Sequence, residues 1–152
     1  MSRSDVTIRD AGVADTPRLV ALIAAGSLDG GAPDDDLAPY ADAVREIADD
    51  KHSAILVAEI KAHVVGMCQL TGFRHVQHRG GLCAEIESMH VDPAERGSGI
   101  GGLLLEAAVD RAREWGAYRV QLTSNGQRAD AHRFYARHGF DPSHVGFKRY
   151  LR

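Results

Sequence analysis

Glu85 and Glu87 stand two residues apart in the run Cys83-Ala-Glu-Ile-Glu-Ser-Met-His-Val91. The run reads as a strand, so both carboxylates project from one face unless a bulge intervenes. Two acids so placed raise the pKa of one of them and make a general base; the alternative is a pair that binds a cation or meets solvent. The next segment, Arg96-Gly-Ser-Gly-Ile-Gly-Gly102, joins this strand to an amphipathic run. Its glycines let the main chain turn tightly and approach a ligand without Cβ atoms in the way. The amides of residues 97–102 then lie at a helix N-terminus, where unpaired donors and the helix dipole favour an anion. Arg96 adds a guanidinium fork suited to phosphate. This grouping fits a phosphate cradle better than a merely tight connection. Tyr135 offers either a phenol hydroxyl or a ring packed beside Phe134.

Gly97, Gly99 and Gly102 also satisfy the dinucleotide fingerprint G-x-G-x-x-G. That fingerprint needs an acid near the end of the following strand to hold a ribose. The corresponding stretch, Leu122-Thr-Ser-Asn125, has none, so the match is read as coincidental.

The elements that must position these groups follow from periodicity and punctuation. Strands are expected at Val6–Arg9, Ala54–Ile60, His63–Leu70, Cys83–Val91 and Tyr118–Thr123, with one or two more from Phe140 onward. Lys61-Ala62 reads as a hairpin turn. Helices are expected from Asp15/Thr16 to Gly26, over about 36–49, over Gly99–Trp115, and over Arg128–His138. The inward residues are then Leu19, Leu22 and Ile23; Val44 and Ile47; and Ile100, Leu103, Leu104, Ala107, Ala108 and Ala112. Residues 26–39 and 71–81 read as loops. The fold class is mixed α/β: a central sheet of six to seven strands flanked by about four helices, with a parallel pair at the β-α-β unit.

With 152 residues, 44% hydrophobic and 26% charged, the chain is expected to form a single domain over 1–152 with its own core. A net charge of −3 lacks the basic footprint of a nucleic-acid binder. No apolar run is long enough to span a membrane, and the polar Met1–Asp10 has no secretion signal. Cys68 and Cys83 have no Cys-x-x-Cys partner, so two reduced thiols and a cytoplasmic location are expected rather than a disulfide or zinc ribbon.

Arg96-x-x-Gly99-x-Gly101, the strand ending at Pro93, Asn125, and the segment from Asp130 to Phe140 together resemble the GNAT N-acetyltransferase superfamily, along nearly the whole chain. Asp130-Ala-His-Arg-Phe-Tyr135 and Ser143-His144 look especially like bacterial aminoalkylphosphonate N-acetyltransferases. The resemblance implies that acetyl-CoA is the cosubstrate. It implies that Arg96, Gly97, Ser98, Gly99, Gly101 and Gly102 hold its pyrophosphate. The Met89 and Val91 backbones and Asn125 would meet the pantetheine arm. It further implies that Tyr135 is the general acid, and that Glu85 or Glu87 is the base or works through a water. The expected reaction is direct transfer to the primary amine of a small molecule, an aminoalkylphosphonate among the candidates. The rivals are a protein or peptide acceptor and a non-catalytic CoA-binding module. Since many relatives dimerise, a homodimer is expected.

The eight histidines lack a metal-ligand spacing, so no metal is assigned, although His75 and His78 in loop 71–81 keep a metal option open. His132, three residues before Tyr135, either tunes the phenol or caps local polar groups. The acidic stretch Asp29–Asp36 reads as a solvated loop or as an attractor for a cationic substrate. Arg74, Arg79 and Lys51 are the candidate partners of a phosphonate.

Overall fold

The computed structural model describes residues 5–152. Five strands form one sheet in the order β1 (Val6–Asp10), β2 (Ser53–Ile60), β3 (His63–Arg74), β4 (Leu82–Val91) and β5 (Ala117–Leu122). The first four are antiparallel neighbours, and β5 runs parallel to β4. Both faces of β2 and β3 are covered, which is why these strands read as almost unbroken apolar runs. Lys61 and Ala62 both adopt left-handed φ, 47° and 66°. Two such residues make a type I′ hairpin turn, whose twist matches that of the flanking strands.

Four helices, α1 (Thr16–Gly26), α2 (Ala38–Asp49), α3 (Ile100–Glu114) and α4 (Ala129–Arg137), flank the sheet. On one face, α3 buries Ile100, Leu104, Leu105, Ala108 and Ala112 against Ala54, Leu56, Ala58, Cys68, Leu70, Ala84 and Ile86. On the other, Leu19, Leu22 and Val44 cover Ile55, Val57, Val64 and Met67. Two inward assignments change. Leu105 rather than Leu103 is fully buried, and Val20 is buried while Ile23 turns outward. Leu104 has no exposed surface. Leu104→Ala is therefore expected to cost about 2–5 kcal/mol in urea unfolding, and Leu103→Ala clearly less.

The strand count is a correction: five, not six or seven. Residues 141–152, expected to supply the final strands, carry no strand and are exposed throughout. A strand-like sequence becomes a strand only when a neighbour takes up its amides. Among the described residues no strand pairs with this segment. Conversely, Thr71–Arg74, expected in a loop, extend β3 because the start of β4 pairs with them.

Candidate active site

β4 and β5 are paired only from Leu82↔Ala117 to Ile86↔Leu122. Beyond that, Glu87–Val91 remain joined to β3 alone, and the sheet opens. The cause is local. Ser88 has φ +50°, and the register with β3 steps from Gln69↔Glu87 to Met67↔His90. This is a bulge: it bends the strand and resets which face each later residue takes. Ile86, Met89 and Val91 consequently lie with the core under α3. Alternation puts Glu85 and Glu87 together on the other face, as their spacing implies.

Glu85 accepts a hydrogen bond from Gln121 Nε2 at 2.8 Å, and Gln121 Oε1 accepts one from Arg119 Nη2 at 3.0 Å. The Glu87 carboxyl is held above the ordinary carboxylate range, first by desolvation and then by a shared hydrogen bond with Glu85 and repulsion from it. Lys148 pulls the other way. An acid poised above its usual range, next to a second one, can take a proton from a bound cation.

His90 is half-buried on β4, and burial, with Arg128 and Arg96 nearby, keeps its imidazole below its ordinary pKa. Its ring occupies the space of a side chain at Gly26, where an added Cβ would lie 2.1 Å from Nδ1. Arg128 Nη2 donates to the Gly26 carbonyl at 2.6 Å. The end of α1, the open stretch of β4 and the loop before α4 are thereby tied together. His90, Arg128 and Gln121 were not singled out by the sequence reading. For Gln121 the signal is register, since it lies directly across from Glu85.

Past β4, Asp92 Oδ1 accepts the Ala94 amide at 2.9 Å and starts a 3-10 turn over Pro93–Glu95. That amide and the ion pair with Arg18 hold the Asp92 carboxyl below its usual range. Arg18 Nε also donates to Val64 O at 2.7 Å, fixing the turn to the sheet. Ser98 Oγ donates to Glu95 O at 2.5 Å. Gly97 and Gly99 have φ of +81° and +90°, where a Cβ is strained. The first bond of α3 runs from Leu103 N to Gly99 O, so the amides of Ile100, Gly101 and Gly102 have no acceptor within the helix. Gly101 and Gly102 are small for a different reason. Their bare faces meet Phe134 of α4 and His138 just past its end, at 3.5 and 3.2 Å from an added Cβ.

Tyr135 is half-buried on α4, edge-on to Phe134 and Phe140 at centroid distances of 5.2 and 6.0 Å, and packs against the core under α3. Burial raises its phenol above the ordinary value, Cys68 adds to this and Arg128 opposes it. The Cys68 thiol is itself pushed up to about 12 by burial. Asn125 Oδ1 accepts the Gln127 amide at 2.9 Å, while its carbonyl receives Arg128 N at 3.0 Å and His132 Nε2 at 2.9 Å. His132 thus caps the loop rather than touching the phenol.

The remaining candidates lie elsewhere. His75 Nδ1 is 2.9 Å from the Tyr118 hydroxyl, and the His78 ring lies over Tyr118 at 4.2 Å, at the start of β5 and away from the opening. Among the described residues no group of three or more His, Cys, Asp or Glu side chains is placed to hold a metal ion. Arg74 is engaged with the Gly80 carbonyl at 2.8 Å. Both cysteines are free and buried.

The open end of β4 thus leads directly into the glycine-rich turn ahead of α3. Residues 23–140 match the acetyltransferase (GNAT) family model. The chain belongs to this family. Over 88 residues it is 42% identical to the aminoalkylphosphonate N-acetyltransferase of Salmonella typhimurium, covering 58% of this chain and 56% of that one. The chain spans little more than half the length of that relative and of the uncharacterised Mycobacterium N-acetyltransferases it also matches. A Bacillus halodurans C-125 structure described as a transcriptional regulator superposes with a TM-score of 0.89 at 36% identity, covering 96% of this chain and 99% of that one. Glucosamine-6-phosphate N-acetyltransferase from Arabidopsis thaliana shares the fold, with a TM-score of 0.79, 20% identity, and coverage of 97% and 99%. No helix among the described residues is long and apolar enough to cross a membrane.

Proposed function

We propose that this chain is an acetyl-CoA-dependent N-acetyltransferase for the primary amine of a small molecule, with aminoalkylphosphonates the leading acceptor class. In this reading it is a single cytoplasmic domain working as a homodimer. One observation carries the reading: the β4–β5 opening has the Glu85/Glu87 pair on one face and the half-buried Tyr135 on the other. An alkylammonium has no free lone pair and must first lose a proton. Glu87, above its usual range, takes it, directly or through a water, and Glu85 with Gln121 holds that carboxylate in place. The freed amine attacks the thioester carbonyl carbon, the C–S bond breaks, Tyr135 protonates the departing thiolate, and the second nitrogen proton, lost as the amide forms, restores the phenol. Arg96, the backbone of residues 97–102, Met89 and Val91, and the Asn125 side chain hold the carrier.

Two facts favour a zwitterionic acceptor. Lys148 draws the Glu87 carboxyl down electrostatically, so the acid pair has a positive charge in its field that favours an acceptor carrying an anionic group as well as an ammonium. The Salmonella relative carries that substrate class in its name. Arg74, expected as a phosphonate partner, is instead bonded to Gly80.

The test is thiol release from acetyl-CoA across aminoalkylphosphonates, polyamines and a lysine peptide. Turnover on the first group supports the assignment. Turnover on the peptide alone moves it to a protein acceptor, and tight CoA binding with no turnover leaves a binding module. Arg96→Glu is expected to raise KM for acetyl-CoA about 10- to 100-fold with little change in kcat, the worth of one charge-assisted phosphate contact. Unchanged affinity by calorimetry removes Arg96 and its turn from carrier binding.

A further inference from the structure

On β5, Arg119 and Gln121 stand in register with Cys83 and Glu85 of β4 and share their face of the sheet. The hydrogen bonds along that face all run one way. Arg119 Nη2 and the Cys83 thiol both donate to Gln121 Oε1, at 3.0 and 3.5 Å, and Gln121 Nε2 donates to Glu85 Oε2 at 2.8 Å. A guanidinium has donors only. The end of the amide that meets Arg119 must therefore be its carbonyl, and the end that meets Glu85 must be its NH2. Arg119 is itself steadied. Its Cζ lies 5.4 Å from the centre of the Tyr118 ring, and the Tyr118 hydroxyl is 2.9 Å from His75 Nδ1.

We propose that Arg119 is a positioning residue: through the Gln121 amide it fixes Glu85 as the hydrogen-bond acceptor of the acid pair and leaves Glu87 as the member that takes up the proton. Its role in catalysis rests on the acetyl-transfer reading, in which that proton comes from the acceptor ammonium. A carboxyl oxygen that faces an NH2 must offer a lone pair, so a proton is disfavoured there. Without Arg119 the amide is free to turn. Its carbonyl then faces Glu85, which meets it as the protonated acid, and the two carboxyls share one proton between them. Around the pair, Gln69 and Thr71, across on β3, are uncharged. Lys148 draws the Glu87 carboxyl down, against the relay, and desolvation of Glu87 works with it.

Carbon-13 NMR of carboxyl-labelled full-length protein, titrated with acid in the absence of acetyl-CoA and amine, tests this. As the pair takes up its first proton, the chemical-shift change should fall mostly on Glu87. The ratio of the Glu87 change to the Glu85 change should drop about tenfold in Arg119→Met, and as far in Gln121→Leu, the factor that one hydrogen bond to a charged group maintains. Arg119 is exposed, so its substitution leaves the core intact. In the thiol-release assay, Arg119→Met should lower kcat/KM for the amine about tenfold and leave KM for acetyl-CoA unchanged. A ratio unmoved by Arg119→Met overturns the relay, as does a wild type whose first proton falls on Glu85. The ratio is read without substrate, so the two readings fail separately. An unmoved ratio with turnover overturns the relay alone. A lowered ratio without turnover on any amine overturns acetyl transfer and still places the proton.

Discussion

Tyr135→Phe lowers kcat about 100- to 10,000-fold, the range for losing a positioned general acid, and leaves KM for acetyl-CoA within about threefold. The phenol sits above its ordinary value because burial penalises the phenolate. The acid form therefore persists through the working pH range. The basic limb of the wild-type kcat profile should fall above the ordinary tyrosine value of about 10, and it should vanish in the variant. Stability carries the same sign. A raised phenol pKa contributes stability fully present below the unfolded value and lost as pH rises through the folded one. Unfolding at alkaline pH should thus weaken the wild type more than Tyr135→Phe. A variant with wild-type kcat and an unaltered basic limb takes Tyr135 out of the mechanism.

Glu87→Gln lowers kcat/KM by a comparable factor, about 100-fold or more, and abolishes the acidic limb of its pH profile. In the wild type that limb should lie above the ordinary glutamate value of about 4.3, because desolvation and Glu85 raise the Glu87 carboxyl. Glu85→Gln removes the repulsion, so the limb should move to lower pH while activity is only partly lost. A limb that ignores both substitutions belongs to another group. Stability measured by urea at neutral and acidic pH gives a check independent of turnover. A raised carboxylate favours the fold below its unfolded pKa, and that contribution is lost as pH rises through the folded value. Glu87→Gln should accordingly be more stable than the wild type near neutrality, with the gap closing in acid.

Much of this site was legible in the chain because its signals are local. Glycines at 97 and 99 followed by an apolar helix announce a turn with left-handed residues, and the structure has them there. Glu85 and Glu87 share a face because a two-residue period allows nothing else short of a bulge between them. The bulge at Ser88 lies just beyond, and it was not legible. It arises from how Cys68 on β3 accommodates two residues of β4. Everything downstream depends on it: the face taken by Met89 and Val91, and the meeting of His90 with Gly26.

The sequence alone determined the order of elements up to α4, the glycine turn ahead of α3 and the shared face of Glu85 and Glu87, since each rests on neighbours a few residues apart. Only the tertiary structure decided where β4 and β5 part and that Arg128 reaches Gly26 across 102 positions of chain. It likewise decided that residues 141–152 carry no strand. Alternation along 143–152 is the same whether or not a neighbouring strand is there to bond it. Pairing is a property of two segments in space, and one segment's residues do not encode it.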